Sequence, residues 1–185
     1  MKVKGTAVAA MPEFIKEKFG SSGYQKWLNA LSDRAKIIYS SKILANEWFP
    51  LKEVLTDPTQ KMCDIFYGGD PMYAHECGRY SAEKGLKGIY RTFVKLGSPE
   101  FICKCASVIL PTYYDPSKVV IQSLEKRQAV FRIVEFSEIS KVIEYRITGW
   151  IERAIEINGG MNVSVKLVKS MCDNNPYCEF EVTWS

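Results

Sequence analysis

The sequence predicts an α+β fold in which an N-terminal helical part packs on a four-stranded antiparallel sheet. Three observations predict it. Up to Tyr114 the apolar residues recur at the three- and four-residue spacing of helices, beyond Tyr114 they alternate, and clusters of Gly, Pro, Asn and Ser punctuate the changes. At 185 residues the chain is long enough to bury a sizeable core. We read residues 1–185 as one domain, mainly helical over 1–115 and β-β-α-β-β over 116–185.

Taken in order, Val3 to Ala9 reads as either a short strand or the entry to a helix. Met11, Phe14, Ile15 and Phe19 share a helical face that Gly20 closes, and Tyr24, Trp27, Leu28 and Leu31 repeat the spacing. Ile38, Tyr39, Ile43 and Leu44 precede Trp48-Phe49-Pro50-Leu51, where Pro50 suits the first turn of a helix. Asp57-Pro58 is a second such start, leading to Met62, Ile65 and Phe66 and ending at Gly68-Gly69; Asp70-Pro71 is a third. The helix it opens is the one around which the chain is organised. Gly78, Ser81, Ala82, Gly85 and Gly88 form a strip of small residues along it, while Leu86, Ile89, Tyr90, Phe93 and Leu96 supply apolar positions. Glycine costs about 1 kcal/mol per position inside a helix, so the strip needs a reason. Close crossing of another helix is the first candidate and room for a ligand the second. Gly97 and Ser98-Pro99-Glu100 mark a stop and a new start. The next helix, Phe101 to Leu110, is apolar nearly all round, is predicted to be buried, and is expected to end at Pro111.

Beyond Tyr114 the pattern is that of strands. Val119, Ile121 and Leu124, the turn Glu125-Lys126-Arg127, then Val130, Phe131, Ile133 and Val134 predict a hairpin. Ser137 or Ser140 is placed to cap a helix bearing Val142, Ile143, Ile147, Trp150, Ile151, Ala154 and Ile155, which Asn158-Gly159-Gly160 ends. Val163, Val165, Leu167 and Val168 make a third strand and Phe180, Val182 and Trp184 a fourth, joined through Asn174-Asn175-Pro176. One face of such a sheet needs cover, and the N-terminal helices are that cover.

The 25 basic and 21 acidic residues are dispersed, which leaves no basic patch for nucleic acid. No apolar run has the length of a membrane span and no signal-peptide h-region follows the first residues, so a cytoplasmic location is expected. The six cysteines are expected as thiols, Cys172 and Cys178 included, although these two flank a turn and would also suit a redox pair or half of a zinc site. His75-Glu76-Cys77 and Cys103-Lys104-Cys105 invite a metal reading. Residues two apart on a helix point to nearly opposite sides, however, so no metal is expected and His75, Cys77, Cys103 and Cys105 are weak candidates. With one histidine and no nucleophile or nucleotide motif, no enzyme activity is expected. Arg79, one turn after His75, suits either an anchor for a carboxylate or phosphate or an ion pair with Glu83 at i+4.

Val3-Lys4-Gly5, Trp48-Phe49-Pro50-Leu51, Gly78-Arg79, the stretch from Gly85 to Arg91, Ser98-Pro99-Glu100, Tyr113-Tyr114-Asp115, Gly149-Trp150-Ile151-Glu152 and the closing stretch from Glu179 to Trp184 resemble an uncharacterised bacterial family expanded as paralogues in myxobacteria. The likeness covers nearly the whole chain. That family is in turn similar to a wider group: the haem-based nitric oxide and oxygen sensors (haem-NO-binding domains), the 4-vinyl reductase domains, and the vesicle-tethering (TRAPP) subunits that hold an acyl chain in a buried channel. The resemblance implies an N-terminal helical part, a four-stranded sheet and a pocket between them. It does not imply haem. The region matching the sensors' proximal histidine, Phe101 to Tyr114, contains none, and Ile121-Gln122-Ser123-Leu124-Glu125 lacks their tyrosine-serine-arginine clamp. Acylation of a cysteine, as in the tethering subunits, would need Cys77, Cys103 or Cys105 to face the channel.

Three readings follow. The first is a non-enzymatic sensory domain without a cofactor, whose apolar pocket takes a small hydrophobic ligand or acyl chain against Arg79, Ala82, Leu86, Tyr90, Cys105 and Ile109. The second is a homodimeric interaction or scaffold module with a vestigial pocket that binds itself or another signalling protein. The third is a gas or redox sensor with haem or metal held by cysteine or tyrosine.

Overall fold

Two antiparallel sheets and seven α-helices account for residues 1–87 and 97–185, which are the residues described in the computed structural model. In the small sheet the first strand is central: β1 (Lys2–Lys4) pairs with β2 (Trp48–Pro50) on one side and β3 (Tyr114–Asp115) on the other. Val3 sits opposite both Phe49 and Tyr114 and is buried. The start of the chain is therefore both of the things its composition allows, a strand to Lys4 and then helix α1 (Gly5–Asn29).

α1 bends at Gly20, whose φ of 69° lies where a side chain would be strained, so the two predicted helices are two arms of one element. Trp27 on the second arm is fully buried and its indole donates to the Pro58 carbonyl at 2.9 Å. Ser32 caps α2 (Asp33–Ser40) by accepting from the Ala35 N–H. Pro50 closes strand β2 and does not open a helix, which corrects the sequence reading. β2 is an edge strand, where a missing N–H costs the ladder nothing, and a π-helical turn (Lys52–Thr56) comes first, running straight into α3 (Asp57–Phe66). α3 ends at Gly68 and Gly69, both at positive φ. Asp70 then caps a short 3-10 turn (Pro71–Tyr73) that leads into α4 (Ala74–Lys87). Gly88, Ile89, Tyr90, Phe93 and Leu96 lie outside the described residues.

The helix predicted over Phe101 to Leu110 is two, α5 (Pro99–Lys104) and α6 (Ala106–Tyr113), which meet at Cys105. Pro111 does not end α6. The helix runs on to Tyr113, with the Thr112 hydroxyl donating to the Ile109 carbonyl and the Tyr114 N–H to the Leu110 carbonyl. The pair is also less buried than its composition suggests: Ile102, Cys103 and Ile109 face the core, whereas Val108 is 60% exposed.

The main sheet has the order β4-β5-β7-β6, with β4 (Lys118–Glu125) and β5 (Gln128–Glu135) as the hairpin, then β6 (Ser164–Lys169) and β7 (Cys178–Thr183). Phe131 faces Phe180 across the central pair, and Ala129, Ile133, Cys178 and Val182 share their burial. Between the two hairpins runs α7 (Lys141–Ile157), ended by Asn158 and by Gly159 at positive φ. This is the predicted α+β architecture, β-β-α-β-β half included. α7 also meets α4 backbone to backbone. A Cβ on Gly78 would overlap the Arg146 carbonyl and one on Gly149 the His75 carbonyl, so at Gly78 the small-residue strip serves a helix crossing.

Candidate functional site

Where α7, the α5–α6 pair and the covered face of the main sheet converge, they leave a cavity. α7 contributes Ile147, Trp150, Ile151, Ala154 and Ile155, α5 and α6 contribute Ile102, Cys103, Ala106, Ile109, Leu110 and Tyr113, and the sheet contributes Val119, Phe131, Ile133 and Phe180. Gly78 and Ser81 of α4 close one side, with Tyr114 and Arg146 nearby. The cavity has a volume of about 70 Å³, is half-open, and is almost wholly apolar. A cavity of this order is small beside the about 300–1,000 Å³ of the pockets for drug-sized ligands.

The polar exceptions in its lining are unusual. Arg146 is 2% exposed, and no carboxylate among the described residues pairs with it. Its Nη1 donates to the Thr59 hydroxyl at 3.3 Å and lies 3.4 Å from the Met11 sulfur, while its Nε–H has no partner. One turn along the same helix, the buried indole N–H of Trp150 also lacks a partner. Burial raises the Tyr114 phenol from its ordinary value, against the charge and hydrogen bond of Arg146. Neither Arg146 nor Trp150 was singled out by sequence as a binding residue. The available signal was a charged residue, Arg146, in the i+3 and i−4 frame of the apolar Ile143 and Trp150.

Of the residues expected to bind ligand, Ile109 lines the cavity. Ala82 and Leu86 are buried outside its lining, Cys105 is half-buried at the α5–α6 junction, and Tyr90 falls outside the described residues. Arg79 lies outside the cavity lining. It crosses to α7, where it pairs with Glu152 and, through Nη2 at 2.8 Å, with Glu156. His75 lies beside it, 3.1 Å from Glu152, and Arg153 ties Glu156 to Glu83. Burial opposes ionisation of Glu156, but the hydrogen bonds of Arg79 and Arg153 outweigh it and hold this carboxyl below its ordinary value.

The cysteines are free thiols. Cys77 faces the Met62 sulfur at 3.5 Å, away from His75, and burial pushes it up to about 12. Cys103, in the cavity wall, is likewise pushed up to about 12 by burial, which keeps it a thiol and a poor nucleophile. Cys178 donates to the buried Glu144 carboxylate at 3.1 Å, beside Ser170 and Cys172. Among the described residues no three His, Cys, Asp or Glu side chains gather as a metal site.

No family model matches the chain, and no curated protein does. Solved structures do. An H-NOX protein from S. oneidensis in the Fe(II)NO ligation state superposes with a TM-score of 0.77 at 10% identity, covering 98% of this chain and 99% of that one. The Fe(II) unliganded H-NOX protein from K. algicida gives 0.73 at 9% identity, covering 98% and 96%. The H-NOX domain from Shewanella oneidensis in the Fe(II)CO ligation state gives 0.75 at 12% identity, covering 98% of each. At these identities the likeness establishes the fold: this chain has an H-NOX-like fold over nearly its whole length.

Proposed function

We propose that this chain is a non-enzymatic ligand-binding sensor domain that takes a small apolar molecule in the cavity between α7, the α5–α6 pair and the main sheet. The observation that carries this reading is the apolar, half-open cavity at the centre of an H-NOX-like fold. Its volume of about 70 Å³ favours a compact ligand over a long acyl chain. The motif likeness to the myxobacterial paralogues adds no ligand to it.

The lining residues do not fit a haem. No histidine is among them, the one histidine being paired with Glu152 of α7. The lining thiol, Cys103, is pushed up to about 12 by burial and so held protonated. Among the described residues no helix is long and apolar enough to cross a membrane. No specific observation favours the homodimeric reading; among the described residues the most exposed large apolar side chains are Ile37, Met161 and Val108.

The test is thermal denaturation of the purified protein with benzene, 1-butanol or 1-hexanol, beside native mass spectrometry and an absorbance scan after incubation with haem. Binding to the folded state alone raises the melting temperature with ligand concentration. We expect such a rise with at least one apolar probe and no Soret band. A Soret band at one haem per chain, or no response to any apolar probe, would overturn the reading.

A further inference from the structure

We propose that the cavity takes its ligand as a carboxylate, a short apolar body whose anionic end is received by the guanidinium of Arg146 and the indole N–H of Trp150. This rests on the ligand-binding reading above and specifies the head group.

The argument begins with what Arg146 lacks. A guanidinium stays charged in proteins, and a charge removed from water is costly unless it is paired and hydrogen-bonded. Arg146 is 2% exposed, yet among the described residues its polar contacts are a hydroxyl, a thioether and the Tyr114 phenol. The other titratable groups that feel its charge, Tyr39, Cys63 and Cys77, are kept neutral by burial, so none answers it. Glu144 lies two residues away on the same helix, hence on a different side, and is committed to Ser170 and Cys178.

The second observation is independent of that charge. Trp150 has a buried N–H without a partner, lines the same cavity, and stands four residues from Arg146, where side chains on a helix are neighbours. The two partnerless atoms are both donors, and buried donors left unmade are rare. What completes the site is an acceptor bearing negative charge, and a carboxylate offers two oxygens suited to charge-assisted hydrogen bonds. A monoanion cancels the single charge of Arg146. A phosphate dianion would replace one unpaired buried charge with another, and the apolar remainder of the cavity calls for a hydrocarbon body.

The experiment is calorimetric titration of the whole chain at pH 7.5 with sodium hexanoate and with 1-hexanol, matched in length and differing in head group. Wild type is expected to bind hexanoate about tenfold more tightly than hexanol, a charge-assisted bond outweighing a neutral one. Arg146→Met should lose that preference and retain hexanol, and Trp150→Phe should weaken hexanoate alone. In a proton–nitrogen spectrum, the indole resonance missing in Trp150→Phe should shift with hexanoate and stay in place with hexanol. Equal affinity for the two ligands in wild type would overturn the carboxylate assignment and leave the pocket intact. Binding of neither would sink the pocket reading itself. Sodium chloride displacing hexanoate at equal concentration would reduce Arg146 to a simple anion site and also overturn it. Should Arg146→Met fail to fold, Trp150→Phe and the spectrum still decide.

Discussion

Two glycines fix the crossing on which the site depends. Gly78 and Gly149 each stand where a methyl group would enter the carbonyl of the opposite helix, Arg146 in one case and His75 in the other. Backbone cannot step aside as a side chain can, so Gly78→Ala and Gly149→Ala should each destabilise by about 2–3 kcal/mol, the upper range for overpacking, as read by urea denaturation. Beside this crossing lies the ion-pair network, whose contribution depends on pH. Glu156 is depressed in the folded state, so its stabilisation is complete above the unfolded carboxylate value of about 4.3 and is lost as pH falls through the lower folded value. Because the group is part-exposed, Glu156→Gln should cost only about 1 kcal/mol at pH 7. The gap between wild type and variant should close on titration towards pH 3. A cost unchanged by acid would assign the effect to packing. None of this network was legible in sequence: the partners of Arg79 lie more than seventy residues away, and the local i+4 partner Glu83 was the nearer guess.

Among the elements, the sequence was most readable where punctuation is chemical. Gly20, Gly68-Gly69 and Gly159 sit where the backbone takes positive φ, and Asp70 and Ser98 each hold a cap; Ser32, which the sequence reading did not single out, caps α2 in the same way. Ser32→Ala should therefore cost about 1 kcal/mol, chiefly by fraying α2, which thermal melts and amide exchange over residues 33–36 would register. Of the small sheet only β1 was offered as a possible strand, since two or three residues cannot display an alternation; Trp48-Phe49-Pro50 reads as a helix start because proline suits both places. The α5–α6 junction was hidden for a related reason. An unbroken apolar run carries no sign of a break at Cys105, and proline six residues further on drew attention from it.

At the scale of the molecule, the change of period after Tyr114 was enough to establish a helical cover on a four-stranded sheet, and the solved H-NOX structures superpose on that arrangement. Which residues line the space between the layers was less readable, because lining is decided by side-chain direction across layers: Ile109 reaches the cavity, while Ala82 and Leu86 face other parts of the core. The buried apolar side chains form one cluster extending from Val3 to Trp184. Far-ultraviolet dichroism and tryptophan fluorescence should accordingly report a single coincident unfolding transition in urea. Two separated transitions would divide the helical part from the sheet.

The close contact of α4 with α7 has a mechanical corollary. With Gly78 and Gly149 seated against opposing carbonyls, neither helix can roll or slide on the other without collision, so that wall of the cavity is stiff. The facing wall is two short helices with an articulation at Cys105 and an exposed outer side. Were the space between them to swell, the α5–α6 side is where the packing resists least, and a probe placed at Val108 would register it.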